Sequence, residues 1–349
     1  MHKQKKLIKI VIIFFSIMLF GIGAGWIAFS SIIRPPTIPQ TPAAVNTLTV
    51  NGGNSSSSSD NVDNGVGMPL TEEDFEERKP MFFTFLIFGL TEGLNANTIM
   101  VASYDSIAGE ANLISIPRDT LVDVQRNSRK IVSAYPVGRL GGQGHAGGVE
   151  RMRYEVQTLI GFRPDFYISV DYEAFVRMVD AVGGVEVHVP FRMFYIDTYQ
   201  DLHIDLQAGL QTLNGRDALL FSRYRTGTEG ISPTISDYRR IEHQQQVLSA
   251  VVRQLLTPAS ILRIPEFINI FNSHFDSDLS PGELLWFATQ ARSIGGADAI
   301  GLYTLPISGT SGLPFWYELP DEEGILELVN RTVNPFVRDI TAEDLRLAQ

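Results

Sequence analysis

The segment Asp165–Pro190 reads D-F-Y-I-S-V-D-Y-E-A-F-V-R-M-V-D-A-V-G-G-V-E-V-H-V-P. Its period changes twice. Asp165–Val170 is a short apolar and aromatic run suited to a strand. Tyr172–Val182 has helical character, and Gly183-Gly184 supplies a C-terminal stop. Val185–Pro190 then alternates apolar and polar residues, as a strand with one buried face does. Strand, helix, glycine stop and strand together are the repeating unit of an α/β layer.

The flanks extend that unit. Met81–Leu90 is apolar and aromatic and reads as a buried strand. Thr98–Tyr104 and Ala111–Pro117 are two further strands joined by a short turn, hence a hairpin. Helices are expected at Gly147–Ile160, Gln211–Leu220, Ser236–Leu256, about Pro281–Ile294 and about Glu322–Thr332, with a strand at Ile300–Pro306. Alternating strands and helices predict a layered α-β-α domain around a central mixed sheet. The expected body is 81–257, with 258–349 completing the same domain.

The N-terminus has a different composition. Lys3, Lys5, Lys6 and Lys9 precede an uncharged run from Ile10 to Ile33. At ~1.5 Å rise per residue, that run is long enough to span a ~30 Å hydrocarbon core. The lysine bias puts residues 1–9 in the cytoplasm and the body outside the cell, on a single-pass anchor at 10–33. The 34–80 stretch follows, rich in Pro, Asn, Ser and Gly and including Ser55–Ser59; it is expected to be a flexible extracellular tether. Thr71–Lys79 is charged and reads as a short entry helix.

With 39 Asp+Glu against 28 Lys+Arg, the chain is acidic. That argues against nucleic acid as a partner through a broad basic face. There are no cysteines, so thiol chemistry, disulfides and cysteine metal sites are excluded. No nucleophile elbow, Walker loop or paired glycosidase carboxylates are present. The six histidines show no ligand spacing.

The chemistry-bearing stretch is Phe221–Gln245, F-S-R-Y-R-T-G-T-E-G-I-S-P-T-I-S-D-Y-R-R-I-E-H-Q-Q. If its first part is extended, Arg223 and Arg225 point the same way. Ser236 reads as a helix N-cap with Asp237 in the first turn. Asp237, Arg240 and Gln244 then share one helix face. Arginines converging near a helix N-terminus favour a phosphate, whereas Arg239 reads as a solvated surface residue. Gly141-Gly142-Gln143-Gly144-His145 is either a phosphate cradle or a flexible loop. Phe166, Tyr167, Phe175, Val176 and Val179 either line a lipid tunnel or form plain core.

Further motifs occur in order: Ser115-Ile116-Pro117-Arg118-Asp119-Thr120, Lys130–Tyr135, Val179–Val185 and Gly209–Gly215. With R-Y-R and D-x-x-R-x-x-x-Q, they resemble the LytR-CpsA-Psr (LCP) family over about Phe82–Leu256. The resemblance implies an extracellular α/β domain on one membrane anchor. Such proteins transfer a glycopolymer from an undecaprenyl-pyrophosphate carrier to peptidoglycan, usually with Mg²⁺. By motif match, Arg118, Arg223, Arg225, Arg240 and Gln244 would hold the pyrophosphate. Asp237 would position an arginine or help activate the acceptor hydroxyl, so Asp237, Arg118 and Arg240 are the expected catalytic group. The family's metal-binding aspartates fall at Thr91 and Asn97, so the metal is expected to be weakly held or absent. Three readings follow: a membrane-anchored phosphotransferase, a degenerate relative that binds polyprenyl-pyrophosphate glycans as a regulatory or scaffolding module, and a pyrophosphatase acting on the same lipid.

Overall fold

The computed structural model describes residues 35–38 and 78–348, apart from 92–93, 200, 262, 292–293, 295–299 and 313–314. The expected anchor at 10–33 and most of the 34–80 linker lie outside the described residues, as does Glu92. Among the described residues no helix is long and apolar enough to cross a membrane.

The strands are β1 (Phe82–Leu90), β2 (Ala96–Asp105), β3 (Glu110–Ile116), β4 (Phe166–Val170), β5 (Val185–Val189), β6 (Met193–Asp197), β7 (Leu202–Leu206), β8 (Gly209–Leu213), β9 (Asp276–Ser277), β10 (Ile300–Thr304), β11 (Ile307–Ser311) and β12 (Tyr317–Pro320). The α-helices are α1 (Ala134–Gly138), α2 (Gly144–Ile160), α3 (Tyr172–Ala181), α4 (Gly215–Arg223), α5 (Asp237–Leu255), α6 (Pro258–Ile261), α7 (Ile264–His274), α8 (Pro281–Gln290) and α9 (Glu322–Thr332).

Six strands form a mixed central sheet in the order β10-β3-β2-β1-β4-β9. The middle is the expected hairpin: β2 runs antiparallel to both β1 and β3. The crossover through α2 brings β4 parallel to β1, and β10 adds parallel to β3. β1 is apolar apart from Thr84 because both its faces are covered, and Thr84 Oγ1 donates to Asp165 Oδ2 at 2.8 Å. Leu86 and Phe88 face a core that includes Val149, Met152 and Val156 of α2 and Leu328 and Val329 of α9. Phe83 and Phe85 face the other way, with Phe83 meeting Trp286 and Phe287 of α8 at ring-centroid distances of 5.4 and 5.2 Å.

A second core gathers α3, α4 and α5 around the antiparallel pair β5–β8. Here the Gly183-Gly184 stop works as expected: both residues have positive φ, 91° and 88°. A Cβ on Gly184 would also come within 2.9 Å of the Leu213 carbonyl oxygen, so glycine permits both the turn and the close approach of β8.

Two sequence expectations are corrected, and an open alternative is narrowed. Gln211–Leu220 is not one helix: Gly209–Leu213 pairs with β5, and the helix begins after Asn214, whose side chain accepts from the Asp217 amide at 2.9 Å. The tertiary pairing overrode a weak local propensity. Second, Phe221–Arg223 is the last turn of α4 and not an extended segment, so Arg223 and Arg225 lie on either side of a helix end. Of the residues left open between a tunnel lining and plain core, Phe166, Tyr167, Phe175 and Val179 pack into separate hydrophobic clusters. Phe166 joins the Phe83–Trp286 cluster, whereas Phe175 and Val179 belong to the α3–α4–α5 core. The β6–β7 hairpin, α7 and the β11–β12 hairpin were not anticipated.

Candidate functional site

The motif Ser115–Thr120 leaves the end of β3 as a strap pinned on two sides. On one side Val132 N donates to the Arg118 carbonyl at 3.1 Å and Ile131 N to Thr120 O at 3.0 Å. On the other, Glu318 N donates to Asp119 O at 3.0 Å and Leu121 N to Glu318 O at 2.9 Å. Inside the strap, Thr120 Oγ1 donates to Pro117 O at 2.7 Å. Backbone held this way gives Arg118 a fixed origin.

The facing element is the start of α5. Ser236 caps it, its Oγ accepting from Arg239 N at 3.3 Å. Asp237 follows in the first turn, where a carboxylate suits the positive end of the helix dipole. One turn on, Arg240 Nη2 lies 2.8 Å from Asp237 Oδ1 and donates to Oδ2 at 3.0 Å. Arg118 Nε lies 3.7 Å from the same Oδ1, and Arg118 Nη1 donates to Asn97 Oδ1 at 3.3 Å. Arg240 Nη2 also reaches the Asn97 carbonyl at 3.4 Å. The structure therefore assembles Arg118, Asp237, Arg240 and Asn97 from three separate segments.

This cluster is partly buried and incompletely paired. Arg240 is 6% exposed. Burial lowers its guanidinium below the ordinary value; Arg118 and Arg225 push the same way, and Asp237 and Asp119 oppose them. Arg118 Nε, Arg240 Nε, Asp237 Oδ1 and Glu318 Oε2 are all buried without a hydrogen-bond partner. Unpaired buried polar atoms are costly, and so many in one place suit a site that a ligand completes.

Glu318 was missed from the sequence. It belongs to β12, far along the chain, and no motif marks it. The residue is 7% exposed, and its carboxyl is pushed up to about 7 by burial first, then by Asp237 and Asp119, against the pull of Arg118 and Arg225. Tyr238 is pushed up to about 12 by burial, Glu318 and Asp237.

The other expected residues divide. Arg225 is exposed, but its charge acts on both Arg240 and Glu318. Arg223 stacks on the Tyr172 ring at 4.6 Å, and Gln244 Nε2 donates to the Ser222 carbonyl at 3.4 Å. Both are thus engaged with α3 and α4. The neighbouring Gln245 bridges α5 to the sheet through Ser115 Oγ at 3.1 Å and Tyr303 O at 3.0 Å. Arg239 is a surface residue paired with Glu242 at 2.8 Å. In the glycine-rich turn, His145 Nδ1 meets the Tyr135 hydroxyl at 2.7 Å and Nε2 pairs with Asp276.

Thr91 and Asn97 do not make a good Mg²⁺ site. They offer one hydroxyl and one amide oxygen where a hard dication prefers carboxylates, and Arg118 already engages that amide oxygen. No group of three or more His, Asp or Glu among the described residues could hold a metal ion. A recess of about 400 Å³ lies elsewhere, lined by Glu186, Glu242, Ser249 and Arg253 among others. On α5 those positions fall on the face opposite Arg240, so chemistry and not concavity locates the candidate site.

Comparison with known proteins agrees with this architecture. Residues 49–332 match the LytR_cpsA_psr family. The regulatory protein MsrR of Staphylococcus aureus is 25% identical over 217 residues, covering 61% of this chain and 60% of MsrR. The polyisoprenyl-teichoic acid–peptidoglycan teichoic acid transferase TagU of Oceanobacillus iheyensis is 28% identical over 231 residues, covering 66% of this chain and 67% of TagU. The crystal structure of Bacillus subtilis TagV superimposes with a TM-score of 0.58 at 23% identity, over 72% of this chain and 96% of TagV, a likeness of fold.

Proposed function

This chain belongs to the LytR_cpsA_psr family, and on that premise we propose that it transfers a polyprenyl-pyrophosphate-linked glycopolymer to peptidoglycan outside the cell membrane. The observation that carries the reading is the pair Arg118 and Arg240 on either side of Asp237, Arg240 buried and the Nε of each buried without a hydrogen-bond partner. Phosphoryl transfer needs mainly positioning and neutralisation of charge on non-bridging oxygens, and preorganised guanidinium groups supply both. Asp237 sets the arginines: its carboxylate is shared between them, which makes it a positioning residue. The name of TagU, a polyisoprenyl-teichoic acid–peptidoglycan teichoic acid transferase, fits a substrate of this class. The lysines ahead of the apolar 10–33 run support a single-pass anchor with the body outside.

The test is release of polyprenyl phosphate from a purified lipid-linked glycan by the full chain, with peptidoglycan as acceptor, with Mg²⁺ and with EDTA. Arg240→Ala and Arg118→Ala are expected to abolish release and weaken lipid binding. If both variants release polyprenyl phosphate at the normal rate, the site lies elsewhere. A second reading has its own support, the replacement of expected carboxylates by Thr91 and Asn97. Under it the chain binds the pyrophosphate lipid without transferring the polymer, so a lipid-binding titration gives the same affinity in Mg²⁺ and in EDTA while the release assay shows no product.

A further inference from the structure

The cluster holds three carboxyl groups, and they are not equivalent. Asp119 pairs with Lys130 Nζ at 2.9 Å. Asp237 is shared by Arg240 and Arg118. Glu318 comes from the other side, on β12; its Oε2, like Asp237 Oδ1, is buried with no hydrogen-bond partner, but among the described residues no lysine or arginine forms an ion pair with it. Its backbone is locked to the strap that carries Arg118, through Asp119 O at 3.0 Å and Leu121 N at 2.9 Å. The residue is over nine-tenths buried, so the position of this carboxyl relative to Arg118 is set by the fold.

Building on the transferase reading, we infer that Glu318 accepts the proton of the attacking hydroxyl during transfer. The acceptor oxygen forms a bond to the phosphorus next to the glycan. The bond from that phosphorus to the bridging oxygen breaks, and polyprenyl phosphate leaves with the electron pair. The hydroxyl proton goes to a carboxylate oxygen of Glu318. Asp237 is already engaged by two arginines, and Asp119 by Lys130. The charged and titratable groups that face Glu318 are Asp237, Asp119, Arg118, Arg225 and Tyr238. The net effect of burial and these neighbours is a carboxyl that titrates at about 7. An acid–base group works best when it titrates near the operating pH.

The experiment uses the full chain in lipid nanodiscs, a lipid-linked glycan, peptidoglycan as acceptor and a pH series from acid to alkaline. Wild-type release of polyprenyl phosphate is expected to rise with pH through neutrality and level off, as Glu318 ionises. Glu318→Gln is expected to release at least ~100-fold more slowly and to lose that inflection, the usual scale for a missing general base. Its binding of polyprenyl pyrophosphate is expected to be as tight as wild type or tighter. A Glu318→Gln chain that turns over at the wild-type rate, or keeps the inflection, overturns the inference and leaves the transferase reading standing. A wild-type chain that binds the lipid but releases nothing overturns both. If Glu318→Gln does not fold, Glu318→Asp decides: its carboxyl is one methylene short, so the inflection should remain with a lower plateau, and an unchanged plateau overturns the inference.

Discussion

Two buried charge clusters in this molecule use the same residue types to opposite ends. In the first, Glu155 of α2 is wholly buried and receives Arg126 through Nη1 and Nη2, the latter at 2.9 Å, and Arg151 Nε at 2.6 Å. Arg126 spends its remaining donors on Ser128 O at 2.6 Å and Lys130 O at 2.7 Å. No side-chain atom of these three residues is left buried and unpartnered. In the second, around Arg118, Asp237, Arg240 and Glu318, four side-chain atoms are buried without a hydrogen-bond partner. The first cluster is complete as folded and staples the Arg126–Lys130 loop to α2. The second leaves hydrogen-bonding capacity that a ligand would use. Counting buried arginines does not separate these two clusters; the atoms left without a partner do.

That distinction can be broken most forcefully at Glu155. Glu155→Ala leaves two arginines buried without their carboxylate and is expected to cost ~3–5 kcal/mol of stability by chemical denaturation. A loss below ~1 kcal/mol would mean that the Glu155 cluster does not anchor the fold. Next comes Arg240→Ala, which is expected to weaken binding of polyprenyl pyrophosphate by ~1.5–3 kcal/mol. The same substitution should cost clearly less stability than Glu155→Ala, because Asp237 retains Arg118. Calorimetric titration and denaturant melts of the two variants side by side check the contrast; equal stability losses would erase it.

A smaller effect tests the second cluster by addition. Thr91→Asp with Asn97→Asp is expected to raise Mg²⁺ affinity and the rate of polymer release together, while either change alone does little, because one carboxylate rarely fixes a cation's geometry. Mg²⁺ titration of the three variants reads this out, and a single substitution that matches the double one refutes it.

The gentlest probe is pH. Glu318 titrates at about 7 in the fold against an ordinary 4.5, so the folded state holds the proton more tightly. Its contribution to stability is full below about 4.5 and is lost as pH rises through about 7. Glu318→Gln should therefore melt higher than wild type at alkaline pH and about equally in acid. His243 runs the other way. Buried against Phe221 at 4.5 Å, it is pushed down to about 4, so its contribution is present above about 6.5 and lost as pH falls through about 4. His243→Phe should flatten the acid limb of a melting-temperature profile without touching the alkaline one.

Much of this was legible from sequence. The buried strand β1, the β2–β3 hairpin, the glycine stop after α3 and the Ser236 cap of α5 all follow from local signals: side-chain period, turn residues and capping chemistry. So did the meeting of Asp237 with Arg240, because a turn of helix fixes that spacing. Gln211–Leu213 was misread because its state depends on β5, about two dozen residues earlier, and not on its own pattern. Arg223 was misread for a related reason. An i, i+2 spacing aligns two side chains only on an extended backbone, which the end of α4 is not, and the Arg223 guanidinium lies over Tyr172 instead.

The chain by itself determined its main strands and helices, its acidic character, the absence of thiol chemistry and the run of arginines that an anion would meet. Only the tertiary structure decided which of those arginines are unpaired, that Asp237 is already shared, and that Glu318 stands among them. The physical reason is that a group's unmet hydrogen bonds and its proton affinity depend on burial and on every charge nearby, and those neighbours come from β2, the strap after β3, α5 and β12. Periodicity and capping act over a few residues, whereas desolvation acts on whatever the fold brings within reach.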